Sequence, residues 1–119
     1  MFIAEVSANH LGSLERAREL VTAAAKAGAT AVKFQTYTAA TMTLDLEKPE
    51  FRISDDHPLW GGEKLFTLYE QAHTPWEWHA ALFEICRQQN VIPFSSPFDA
   101  TAVDFLENLN APMYKIASM

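Results

Sequence analysis

Apolar positions along this chain change period several times, and each change marks an element. Phe2 to Ala8 is apolar apart from Glu5 and Ser7 and predicts a buried strand, with Asn9 to Gly12 as a loop. Leu14, Ala17, Leu20, Val21, Ala24 and Ala25 then recur at helical spacing. Ser13 is placed to cap that helix and Gly28 to stop it. Thr30 to Thr36 predicts a second strand around Val32 and Phe34. A long connection follows from Tyr37 to Gly62, carrying two prolines and an acidic stretch, with a short helix expected over residues 63–71. Thr74-Pro75-Trp76-Glu77 has the form of a capping box with proline at the first helical position. The helix it opens carries Trp78, Leu82, Ile85 and Cys86 on one face and ends at Asn90. Val91 to Ser96 predicts a third strand. Asp99 is placed to cap a helix carrying Ala102, Val103, Leu106 and Leu109, and Met113 to Ser118 predicts a fourth strand.

The order β-α-β-α-β-α-β implies parallel strands joined by right-handed crossovers. A doubly wound open sheet and a (β/α)8 barrel both fit. A barrel normally takes about 250 residues. With 119 residues, three βα units and a fourth strand, the expectation is an α/β chain forming the N-terminal half of a TIM (β/α)8 barrel, truncated, with residues 1–119 as one partial catalytic domain.

Composition narrows the function classes. A net charge of −6 argues against nucleic acid as a partner but leaves room for a small anion, which needs only a few placed cations. One cysteine, Cys86, allows no intrachain disulfide. Neither a signal peptide nor a membrane span is legible, so a cytoplasmic location is expected. Cys86 reads as a packed, inert thiol. His57, His73 and His79 lack metal-ligand spacing and are expected at the surface or at caps. His10, alone in a loop, reads more readily as solvated than as catalytic.

Parallel α/β folds place their chemistry at the C-terminal ends of the strands, and polar residues collect there: Glu5, Lys33 and Gln35, Ser95 and Ser96, Lys115 and Ser118. Lys33 and Lys115 each sit inside an apolar strand, where a buried ammonium needs an anion. One reading is an internal ion pair, for example with Glu5, or a lysine reaching to the rim. The other is a cradle for a phosphate or carboxylate, with Ser96 and Ser118 donating hydrogen bonds and the helix start at Asp99 adding its dipole. Glu5 is correspondingly either the partner of Lys33 or a general base.

At these residues the chain resembles the sialic acid synthase family. Glu5 through Gly12 and Ser13 are similar to the family's opening Glu-x-x-x-Asn-His-x-Gly segment. Lys33-Phe34-Gln35-Thr36 resembles its Lys-x-Gln-Thr motif. Phe94-Ser95-Ser96-Pro97-Phe98 and Tyr114-Lys115-Ile116-Ala117-Ser118 resemble its third- and fourth-strand motifs. Gln35 to Thr38, Pro49 to Ile53 and Leu68 to Trp78 resemble the pseudaminic branch. The resemblance implies condensation of phosphoenolpyruvate with the open-chain aldehyde of an amino sugar, 2,4-diacetamido-2,4,6-trideoxy-L-altrose in that branch. It implies that Lys33, Ser96, Lys115 and Ser118 bind phosphoenolpyruvate, that Gln35 touches the sugar, and that Glu5 serves water addition or a cationic intermediate. It further implies a divalent metal, Mn or Mg, on histidines beyond Met119, and a homodimeric complete enzyme. An antifreeze-like domain that completes the partner subunit's site is absent from these residues. These 119 residues alone are therefore expected to be inactive. Competing readings are a sibling synthase making N-acetylneuraminate or legionaminate, and a non-catalytic barrel fragment acting as a binding or assembly module.

Overall fold

The computed structural model describes residues 1–46, 48–58 and 61–118. Glu47, Leu59 and Trp60, inside the predicted long connection, and Met119 lie outside the described residues. Three strands, β1 (Ile3–Glu5), β2 (Ala31–Thr36) and β3 (Ile92–Pro97), form a parallel sheet in the order β1-β2-β3. Five α-helices are described: α1 (Leu14–Lys26), α2 (Ala39–Met42), α3 (Leu65–Ala72), α4 (His79–Gln88) and α5 (Ala100–Asn108). Single 3-10 turns lie at Pro49–Phe51 and Trp76–Trp78. The predicted long connection therefore holds local structure, including α2 and an antiparallel bridge from Arg52 to Lys64. None of the described helices is long and apolar enough to cross a membrane.

Strand alternation separates two chemistries on β2. Val32, Phe34 and Thr36 are buried, whereas Lys33 and Gln35 are half-buried on the other face. The buried face packs on the helices. Its core joins Val6, Val32 and Phe34 to Ala17 and Val21 of α1, Leu82, Phe83 and Cys86 of α4, and Leu106 of α5. Fully buried Ala17 and Val21 give α1 the close approach that its many alanines predict. Burial pushes the Cys86 thiol up to about 12, which leaves it a protonated, packed side chain.

Several boundaries follow local chemistry. Ser13 accepts the Arg16 N–H and Asp99 accepts the N–H groups of Thr101 and Ala102. Past the α1 cap at Ala27, Gly28 takes φ +93°, a region that costs a side-chain-bearing residue. The capping box at Thr74 does not form. Thr74 is buried and its hydroxyl bonds His10 instead, so the chain enters through the Trp76–Trp78 turn and α4 begins at His79.

Two strand expectations are corrected. The first strand is not buried: Phe2 is 77% and Ile3 47% exposed, because β1 has a strand partner on one side only among the described residues. The fourth segment is not a strand either. It runs parallel to β3 through one bridge, Tyr114 to Ser95, and one backbone bond from the Lys115 N–H to the Ser95 carbonyl at 3.1 Å. The cause lies in β3. Ile92 and Phe98 donate their N–H groups to the carbonyls of Thr30, just before β2, and Thr36 at its end, so even-numbered residues face β2 and the opposite edge belongs to Pro93, Ser95 and Pro97. Two of those three have no N–H, and proline belongs on such an edge. A continuous ladder to the fourth segment lacks its donors.

Candidate active-site cavity at the sheet rim

On the face of the sheet away from the helices, the register aligns Glu5 with Lys33 and Gln35 with Ser96. Paired residues of parallel strands project to the same side. The segment after α5 then brings Lys115, Ala117 and Ser118 alongside. Together with Phe98 these residues line one cavity of about 330 Å³. All six residues singled out in the sequence, Glu5, Lys33, Gln35, Ser96, Lys115 and Ser118, therefore meet in one place.

Of the sequence readings of Lys33, the ion pair with Glu5 is present, with the lysine ammonium 2.7 Å from Glu5 Oε1. The pair is lopsided: the Lys33 side chain is 13% exposed and that of Glu5 61%. A carboxylate so open to water holds a lysine weakly, and the ammonium retains donors for a further anion. Lys115 corrects the expectation of burial. It is exposed, as is Ser118, because the segment carrying them gains no ladder, and its ammonium donates to the Ile116 carbonyl. Ser96 is buried at the cavity wall. Two ammonium groups against one carboxylate give this cavity a positive lining in a chain of net charge −6.

The α5 N-terminus does not supply the anion contacts expected of it. Asp99 already occupies the N–H groups of Thr101 and Ala102, and a carboxylate there repels a second anion. Phe98 is the cavity-lining residue that residue-level reasoning missed. Its ring packs edge-on against Tyr37 (5.5 Å), and the Tyr37 carbonyl in turn accepts the Trp76 indole N–H at 3.0 Å. Its position two residues beyond Ser96, on the same strand parity, is the signal that could have found it.

Both histidines nearest the sheet are buried, against expectation. His10 is fully enclosed. Its Nδ1 accepts the Gly12 N–H (3.0 Å), so Nε2 carries the proton and donates to Thr74 Oγ1 (3.1 Å). Left-handed backbone at Ser7, Leu11 and Gly12 turns this loop tightly enough to point the ring inward. His79 is equally enclosed, bonded to Thr36 through Nε2 (2.8 Å) and to the Pro75 carbonyl through Nδ1 (3.3 Å). Burial holds His79 down to about 4 and lowers His10 as well, so both are neutral near pH 7. Among the described residues, no three His, Cys, Asp or Glu side chains gather into a set that could hold a metal.

Residues 20–119 match the NeuB family. The chain is 49% identical to the pseudaminic acid synthase of Campylobacter jejuni subsp. jejuni serotype O:2, over 98% of this chain and 33% of that protein. It is likewise 49% identical to the pseudaminic acid synthase of Helicobacter pylori, over 98% of this chain and 34% of that protein. Its fold superposes on the N-acetylneuraminic acid (sialic acid) synthetase of Leptospira borgpetersenii serovar Hardjo-bovis, solved in complex with citrate. That match has a TM-score of 0.76 and 27% identity, over 97% of this chain and 35% of that one. The three parallel strands and their helices thus resemble the N-terminal part of sialic acid synthase barrels. The chain spans about a third of the length of the curated relatives it matches.

Proposed function

This chain belongs to the NeuB family, and on that premise we propose that its cavity holds phosphoenolpyruvate for condensation with an amino-sugar aldehyde, in a pseudaminic acid synthase. The observation that carries the reading is the meeting of Lys33, Lys115, Ser96 and Ser118 with Glu5 and Gln35 in one cavity. Two ammonium groups and two hydroxyls suit a ligand bearing both a phosphate and a carboxylate, since charge-assisted hydrogen bonds to such oxygens are the strong ones. Gln35, with an amide that both donates and accepts, is the group suited to sugar hydroxyls.

In this reading C3 of phosphoenolpyruvate forms the new bond to the aldehyde carbon, the carbonyl π pair moves to the aldehyde oxygen, which takes a proton from solvent, and positive charge is left at C2. Water adds at C2 and gives a proton to Glu5, whose exposure lets water reach it. The tetrahedral C2 then expels inorganic phosphate by C2–O cleavage, its hydroxyl passing a proton to the leaving phosphate as the C2 ketone forms. Lys33 and Lys115 stabilise the phosphate charge throughout, an electrostatic role that a preorganised site performs without rearrangement. In this reading a divalent metal would polarise the sugar aldehyde as a Lewis acid; no step here runs through it.

The pseudaminic substrate is favoured by 49% identity to two synthases of that name, against 34% to the N-acetylneuraminate-9-phosphate synthase of Drosophila melanogaster. Calorimetric titration of the chain with phosphoenolpyruvate, beside Lys33→Ala and Lys115→Ala, tests the cradle. Each substitution is expected to weaken binding about tenfold or more, the scale of a lost charged hydrogen bond. Unchanged affinity in both variants would reject the cradle and favour a non-catalytic module. A panel of amino sugars offered to the complete enzyme tests the substrate, and preference for N-acetylmannosamine would reject it.

A further inference from the structure

We propose that His79 is a positioning residue for this cavity, setting the stance of Gln35 and Ser96 through the hydroxyls of Thr36 and Ser95 on the opposite face of the sheet.

Thr36 and Ser95 are the immediate chain neighbours of Gln35 and Ser96, and strand alternation sends each pair to opposite faces. On the helix side, Thr36 Oγ1 lies 2.7 Å from Ser95 Oγ and 2.8 Å from His79 Nε2. All three side chains are fully buried. The direction of the hydrogen bonds follows from the acceptors. The Pro75 carbonyl, which can only accept, faces His79 Nδ1 at 3.3 Å, and with the proton on Nδ1 the Nε2 atom is an acceptor. Thr36 therefore donates to His79, and Ser95 donates to Thr36. Every polar atom of the set is used, and no solvent reaches it.

This chain of bonds lies where the backbone ladder weakens. The last β2–β3 backbone bond, from the Phe98 N–H to the Thr36 carbonyl, is 3.3 Å long. The side-chain bonds beside it, at 2.7 and 2.8 Å, have the ordinary length of hydroxyl hydrogen bonds and add a second tie between the two strands at the rim. His79 is itself fixed as the first residue of α4. Its ring stands edge-on to Phe105 at 5.3 Å, and tilted against Phe83 at 6.2 Å. It thus ties α4 to both strands at the level of the cavity wall. Loss of the imidazole would leave the buried Thr36 hydroxyl without its acceptor and free the strand ends to shift.

The inference depends on the phosphoenolpyruvate reading for its consequence and on the sheet geometry for its cause, and two measurements separate them. Thr36→Val keeps the shape of the side chain and removes the hydroxyl; His79→Phe removes the acceptor; His79→Gln keeps one. Amide hydrogen exchange reads the rim at Gln35, Ser96 and Phe98 against Val32, Phe34 and Phe94 lower on the strands. Calorimetry reads phosphoenolpyruvate affinity. Thr36→Val and His79→Phe are expected to speed exchange at the rim amides alone and to weaken phosphoenolpyruvate about five- to tenfold. His79→Gln is expected to restore most of both. Faster exchange spread evenly along the strands would show a general stabiliser and overturn the proposal. So would an unchanged affinity in Thr36→Val. If the unsubstituted chain binds no phosphoenolpyruvate, the reading of the cavity fails and rim exchange alone decides the positioning role. If His79→Phe does not fold, Thr36→Val carries the test.

Discussion

Buried imidazoles are the residues whose behaviour departs furthest from expectation. His10 and His79 are enclosed, hydrogen-bonded as neutral rings, and held below the ordinary histidine range by burial. For His79 the carbonyls of Pro75, Trp76 and Gln35 and the carboxylate of Glu77 pull the other way without overcoming burial. The consequence for stability has a definite sign. Between the unfolded value of 6.5 and about 4, the unfolded chain binds the proton and the folded chain does not. Stability is therefore complete above pH 6.5 and falls as pH drops through that window. His79 alone accounts for a loss on the order of 3 kcal/mol by pH 4, and His10 adds to it with the same sign. Urea titrations at pH 7.5 and 4.5 should show the midpoint fall, and His79→Gln should flatten the dependence. An equal fall in that variant would assign the acid sensitivity elsewhere. None of this was legible in the chain, because the partners lie 64 residues from His10 and 43 from His79. Lys33 and Gln35 were legible, since a polar residue alternating with buried apolar ones declares which face it takes.

At the scale of elements, local chemistry was readable wherever no distant group competed for it. Ser13 and Asp99 cap the helices they precede, as their side chains and the pattern after them indicate. Thr74 carries the same signature and fails, because the proton on His10 Nε2 claims its hydroxyl. The two sites should respond differently to substitution. Asp99→Ala removes a cap from an exposed helix start and should cost about 1 kcal/mol. Thr74→Val leaves a buried imidazole N–H unpaired and should cost about 1–3 kcal/mol, with Thr74→Ser recovering most of it. Chemical denaturation with an unchanged slope would measure both. A Thr74→Val cost no larger than a few tenths would mean that the His10 contact holds little. The fourth strand shows the opposite kind of failure. Its apolar residues have strand propensity, but propensity says nothing about the neighbouring edge, where Pro93 and Pro97 withhold their donors.

The whole molecule is looser than its length requires. Its radius of gyration is 15.0 Å, where a compact domain of this length has about 13.5 Å. Its accessible surface is 7090 Å², against about 6500 Å² for a monomer of this mass. The excess is concentrated at the flanks of the sheet. Phe2 and Ile3 stand exposed at the start of β1, and Ile116 is 80% exposed on the segment that only bridges β3. Element order and parallel direction were legible in the sequence, but strand burial was not, since it depends on what lies alongside. Two apolar flanks with unpaired backbone groups are the surfaces through which sheets join. The 119-residue chain should therefore self-associate at tens of micromolar, sedimenting above its 13.4 kDa monomer mass. Lysine at Ile3 and at Ile116 should each shift it toward monomer with the circular dichroism spectrum unchanged, because neither side chain belongs to the core. High salt should leave the association intact or strengthen it, as burial of apolar surface does. A chain that sediments as a monomer at 100 µM, or an association that salt dissolves, would mean that these flanks do not drive contact between copies and that charge governs it instead.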